Sequence, residues 1–120
     1  MAESQLALAW PIDLRLTVAS HGWVYLEPWR WDDEAGLLSR RETIDGEVGT
    51  IAVRQHDPRT LSVASDGFAD AAAAEILRRV GRWVSAEWDP APAVAALAAG
   101  FADEAGLVAA GAGRLLRCST

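Results

Sequence analysis

Apolar residues change their spacing partway along this chain, and that change limits what it can fold into. Ile12, Leu14, Leu16 and Val18 alternate with Asp13, Arg15 and Thr17, so residues 12 to 19 (IDLRLTVA) read as a half-buried strand. Segments 37 to 44 (LLSRRETI), 47 to 55 (EVGTIAVRQ) and 60 to 65 (TLSVAS) have the length and composition of further strands. Asp45-Gly46 between the first two suits a tight hairpin that needs positive φ, and Asp57-Pro58 suits a type I turn with Pro at its second position. These four segments predict antiparallel strands, the last three forming a meander.

From Phe68 onward the period is that of a helix. Phe68, Ala72, Ile76, Val80 and Val84 recur every fourth residue, and Leu77 and Trp83 widen the same stripe. This predicts an amphipathic helix of roughly five turns, capped by Asp66 without a capping box. Its outer face carries Glu75, Arg78, Arg79 and Arg82, with Glu75 and Arg79 at the i,i+4 spacing of an ion pair. Asp89-Pro90 opens a second helix through about Phe101 with Val94, Leu97 and Phe101 as its apolar positions, and Asp103 caps a short third one. Strands first and helices afterwards argue for an α+β fold in which mostly C-terminal helices cover an antiparallel sheet.

Composition narrows the chemistry. The 120 residues hold eleven Arg and no Lys against seventeen Asp and Glu, a formal net charge of −6. Long-range attraction to a phosphate backbone is disfavoured by that balance, and imine chemistry through a lysine is excluded within the chain. One cysteine, Cys118, and two histidines, His21 and His56, make no disulfide and little basis for a metal site. No metal or cofactor is expected. The N-terminus carries Glu3 where a secretion signal would be basic, and no apolar run approaches a membrane span, so a soluble cytoplasmic protein is the expectation.

The densest chemical stretch is SHGWVYLEPWRWDD, residues 20 to 33. One reading makes it a ligand-facing segment, with aromatic faces and the Gly22 backbone presented to a planar ligand such as a nucleobase and Arg30 available for phosphate or stacking. The other is packing. Trp23, Tyr25, Trp29 and Trp31 lie at even spacings, so a strand would send them to one face and into a core or interface, and this reading carries more weight. His21 has no nucleophile placed for a triad with Ser20, and Asp32, Asp33 and Glu34 have the pattern of a solvated turn. Arg40 and Arg41 fall on opposite faces of their strand, and Arg78, Arg79 and Arg82 read as a solvated helix face. Gly111-x-Gly113 follows no predicted strand and is no phosphate loop. No catalytic constellation emerges.

The order of DLRLTVASHGW, PWRWD, a hairpin meander, ILRRVGRWVS and GRLLRCST resembles the N-terminal domain of the helix-hairpin-helix DNA glycosylases, in the branch with the 3-methyladenine and 8-oxoguanine glycosylases. The resemblance implies an antiparallel sheet like that of TATA-binding protein, flanked by helices. It implies a single α+β domain over residues 1 to 110, with 111 to 120 as linker and start of a catalytic helical domain that these residues do not include. The hydrolysis of N-glycosidic bonds in base excision repair would belong to that other domain, with its catalytic Asp and its phosphate-holding hairpin. By the same resemblance Gly22 is a base-contact candidate, because a Gly in the family's GQxFRW motif approaches the flipped base. Trp29, Arg30 and Trp31 correspond to the end of that motif, at a longer interval from Gly22.

The implied role is thus a non-catalytic accessory domain of a DNA glycosylase, with damaged duplex DNA as partner in the full-length context and weak DNA binding alone. An apolar surface left for the catalytic domain could also support homodimerisation. The alternative is a stand-alone module in which residues 23 to 31 bind a small planar ligand or mediate dimerisation. Net charge argues against a third reading, a minor-groove DNA-architecture factor.

Overall fold

The computed structural model describes residues 2–20 and 22–119. Strands β1 (Ala2–Ala7), β2 (Trp29–Asp32), β3 (Leu37–Ile44), β4 (Glu47–Asp57) and β5 (Thr60–Asp66) form one antiparallel sheet in the order β1-β5-β4-β3-β2. Helix α1 (Leu14–Val18) lies between β1 and β2, and α2 (Ala73–Trp83), α3 (Ala91–Ala98) and α4 (Ala102–Ala109) follow the sheet. The class is α+β, as the order of periods predicts.

The meander follows the sequence closely. Asp45 and Gly46 take φ of 51° and 80°, the paired positive values of a type I′ turn. At the next reversal Asp57 Oδ1 accepts the Arg59 N–H at 2.8 Å, so the Asp side chain closes a two-residue turn of Pro58 and Arg59. Alternation sends Leu38 and Ile44 of β3, Ile51 and Val53 of β4, and Leu61 and Val63 of β5 into one core with Ile76, Val80 and Trp83 of α2. The opposite face carries Ser39, Ala52 and Ala64 in one cross-strand row and is open to solvent.

Residues 12 to 19 are not a strand. Asp13 caps α1 by accepting the Leu16 N–H at 3.1 Å, and the Thr17 hydroxyl donates to the Asp13 carbonyl at 3.0 Å. Leu14, Thr17 and Val18 are buried whereas Leu16 is 48% exposed, a helical spacing that the alternating pattern conceals. The sheet instead gains β1, a strand of small and polar residues unseen in the pattern because Leu6 alone among them is half-buried. The aromatic segment is also only partly extended, since Trp23–Tyr25 is a 3₁₀ turn and Tyr25 is 87% exposed.

The main helix is shorter than five turns. Gly67 at φ 94° breaks the chain after β5, Asp66 ends that strand instead of capping, and a 3₁₀ turn over Asp70–Ala72 precedes α2. Asp89 accepts the Ala91 N–H at 2.9 Å ahead of α3, which stops at Ala98 and not near Phe101. Asp103 lies inside the first turn of α4, whose cap position is Phe101. Helices α3 and α4 form a hairpin that contributes one buried side chain, Ala105, and the chain measures 50 × 26 × 25 Å.

After this hairpin the chain returns to the core. Gly111 is buried at φ 122°, and a Cβ there would meet the Asp13 nitrogen and the Ile12 carbonyl carbon at 2.4 Å. Residues 114–119 then run as an extended strap, with Arg114, Leu116 and Ser119 buried.

Two glycines give opposite expectations. A Cβ at Gly49 would sit 2.3 Å from the Asp66 carbonyl oxygen and 2.6 Å from the Phe68 ring. Gly49→Ala should therefore destabilise by about 1–3 kcal/mol through overpacking. Gly106 lies in α4 with nothing near it. There, Gly106→Ala should stabilise by about 0.5–1 kcal/mol. Thermal denaturation of both variants checks the pair, which should move in opposite directions.

Candidate functional site

Gly22, Trp29, Arg30 and Trp31 do not converge on one point. Gly22 is exposed at φ 79° with open space where a Cβ would stand, and its carbonyl accepts the Tyr25 N–H at 3.2 Å. Strand β2 divides the other three. Trp29 faces the core, 6% exposed, packed edge-to-face on Trp83 with ring centroids 5.0 Å apart and covered by the Arg40 guanidinium at 4.7 Å. Arg30 points to the open face of the sheet, paired in register with Ser39. Trp31 lies on the core side at the margin, half-exposed, with Arg15 at 5.6 Å and its indole N–H donating to Asp33 at 3.2 Å. His21 and the side chain of Trp23 lie outside the described residues.

A cavity of about 520 Å³ borders Trp31, between α1 and the far end of β4, and includes Arg15, Gly36, Arg54 and Gln55. Gln55 organises its wall. Its carbonyl oxygen accepts the Leu14 N–H at 2.8 Å and its amide donates to the carbonyls of Ile12 and Asp57. Arg15 is held there by Asp33 at 2.8 Å.

Of the exposed large apolar side chains, Leu16, Tyr25 and Leu26 stand on α1 and the segment after Gly22 and Leu115 on the strap, while Phe101 and Leu107 stand on the α3–α4 hairpin and Val48 on β4. Ser20 joins the two segments by accepting the Leu116 N–H on its hydroxyl at 3.1 Å. The strap is further fixed by Arg114, whose guanidinium donates to the carbonyls of Ser85 and Trp88 at 2.8 Å and lies over the Trp88 ring at 5.4 Å. Burial lowers the pKa of this guanidinium, opposed by the Glu87 charge. At the end of the strap Ser119 accepts the Trp83 indole N–H at 2.7 Å and donates to the buried Glu42 carboxylate. Sequence reasoning missed this arrangement, because nothing in RLLRCST marks a serine as a core hydrogen-bonding group.

On α2 the expected pair is present, Arg79 with Glu75 at 2.7 Å, and Arg78 adds a two-nitrogen contact at 2.6 and 2.8 Å. These hydrogen bonds, from Arg78 first and then Arg79, bring the Glu75 pKa down from 4.5 to about 2. Among the described residues no three His, Cys, Asp or Glu side chains gather into a metal-binding group, and no helix is long and apolar enough to cross a membrane.

No family model and no curated protein sequence matches the chain. A solved structure does match, the 3-methyladenine DNA-glycosylase from Archaeoglobus fulgidus, with a TM-score of 0.67 over 87% of this chain at 13% identity. The class this defines is an α+β domain built on a five-stranded antiparallel sheet, a fold shared with part of that enzyme. The match takes in 34% of the enzyme's chain, so this protein spans about a third of its length.

Two measurements check the site. The Glu75 carboxyl should titrate near pH 2 by carbon NMR, and its contribution to stability should be complete above pH 4.5 and lost as pH falls through about 2. Ser119→Ala leaves the Trp83 N–H and one Glu42 oxygen without this partner, which should destabilise by about 1–3 kcal/mol in urea unfolding.

Proposed function

We propose that the chain is a non-catalytic domain of a base-excision-repair DNA glycosylase, of the 3-methyladenine or 8-oxoguanine type, that packs on and completes a catalytic helical domain. The carrying observation is the fold likeness to about a third of a 3-methyladenine DNA-glycosylase chain. The exposed Leu16, Tyr25, Leu26 and Leu115, on segments tied together through Ser20, support it by offering an apolar surface for a second domain. In this reading residues 111–120 are the connection to that domain, and their stretch 114–119 is held in this domain's own core. Gly22, exposed beside Tyr25 and Leu26, is the base-contact residue at the seam, and damaged duplex DNA is the partner of the joined domains.

The Trp31 cavity favours a second reading, a small planar ligand held against Trp31 by a module that acts alone. A saturable change in tryptophan fluorescence on adding such a ligand, lost in Trp31→Ala, would support it.

Titrating a labelled duplex that contains an abasic-site analogue separates the readings by fluorescence anisotropy. The isolated chain should bind weakly, lose that binding at near-physiological salt, and release no damaged base. Lesion-selective, salt-resistant binding, or base release by the pure chain, would overturn the accessory-domain reading.

A further inference from the structure

Strand β2 begins late, and its beginning leaves a notch in the sheet. Its first residue, Trp29, pairs with Arg40, so β3 from Arg41 to Ile44 has no strand on that side. The notch, about 570 Å³, is lined by Pro28, Arg40, Arg41, Glu42, Arg78, Arg79 and three further residues.

Four of the eleven arginines of an acidic chain meet in this space. Two carboxylates answer them. Glu42 is buried and already accepts from Ser119, with the Arg40 Nε and the Arg79 Nη1 each 3.4 Å away. Glu75, behind the notch, takes both Arg78 and Arg79. Among the side chains of the described residues, four cations against two anions leave a local charge of +2.

The donors left over are specific. Arg41 is exposed and has no polar partner among the described residues. Arg40 lies over the Trp29 ring at 4.7 Å, its Nε is buried without a hydrogen bond though 3.4 Å from Glu42, and its terminal nitrogens donate to no described residue. The two side chains leave β3 on opposite faces, Arg40 on the core side over Trp29 and Arg41 on the open side, so they border the unpaired strand edge from its two sides with donors that suit an oxyanion.

We propose that this notch is a binding site for a phosphate-type oxyanion held at the unpaired edge of β3, with Arg41 reaching it from the open face, Arg40 from the core side, and Arg78 and Arg79 supplying the surrounding field. It stands apart from the accessory-domain reading, because neither base excision nor a second domain enters the argument. The same chemistry is offered by a free phosphate and by the backbone of a nucleic acid.

The probe is inorganic phosphate, titrated calorimetrically into the purified 120-residue chain at an ionic strength held constant with sodium chloride. Saturable binding is expected, weakened about tenfold or more by Arg41→Gln, as for loss of a hydrogen bond to a charged group. Arg41→Lys should recover only part of it, since the charge remains and the fork is lost. Arg59→Gln, in the turn between β4 and β5 and outside the notch, should bind as the parent chain does. Arg41 is solvent-exposed, and circular dichroism of each variant confirms that it is folded. Absence of saturable heat, or an Arg41→Gln variant that binds phosphate like the parent, would overturn the site. Displacement of phosphate by an undamaged duplex would assign the oxyanion to nucleic-acid backbone, and a duplex that does not compete would assign it to a small phosphate.

Discussion

The Trp83 side chain is where the layers of this protein are joined. It projects from α2, is completely buried, and stands edge-on to Trp29 of β2. Its indole N–H cannot be left unsatisfied in such a place without a free-energy cost of about 1–3 kcal/mol. Ser119 supplies the acceptor and donates its own hydroxyl hydrogen bond to Glu42 of β3. A single aromatic ring thereby commits a helix, two strands and the strap to one arrangement. Glu42 follows the same logic: a buried carboxylate is tolerable only with several partners, and it has Ser119 with Arg40 and Arg79 close by.

The strap depends on a second buried group, Arg114. Among the described residues no carboxylate touches its guanidinium, which is held by the carbonyls of Ser85 and Trp88. Those carbonyls belong to the turn that ends α2, where Ser85 adopts φ 53° and donates its hydroxyl to the Leu115 carbonyl. Helix termination and strap docking are therefore one set of hydrogen bonds. The exposed Leu115 alternates with the buried Arg114 and Leu116, so the docking that buries one side of the strap turns an apolar side chain outward beside the Gly22 segment.

Sequence periodicity made β3, β4 and β5 legible because both their faces are defined, one apolar and one polar, and their turns carry residues suited to positive φ or to Asp capping. It failed at the two ends of the sheet for different reasons. Strand β1 is an edge strand with almost nothing buried, so it leaves no apolar alternation to read. Helix α1 is a single turn in which Leu14 and Val18 satisfy a period of two and of four equally, and the decision rests with the Asp13 cap. Among candidate site residues, the parity of β2 was readable and its consequence was not: Trp29 and Trp31 share a side, yet only Trp29 reaches beneath α2. Burial of Ser119 and Arg114 depends on contacts far apart in sequence, which no local pattern encodes.

Arginine is the one basic side chain in this protein besides its two histidines, and its distribution decides how the domain can meet an anion. Arg15, Arg78, Arg79 and Arg117 are each paired with a carboxylate, and Arg114 is spent on carbonyls. Arg30, Arg41 and Arg54 have no polar partner among the described residues, and the sheet register sets all three on the open face, on β2, β3 and β4. Glu3 and Asp66 share that face on the β1 and β5 side. The arginines without a polar partner among the described residues are thus gathered on one half of one face in a chain of net charge −6, with the notch that Arg40 and Arg41 border at its margin. Attraction to phosphate is then local and geometric, through guanidinium forks, and the general field of the domain works against any longer polyanion that does not fit there.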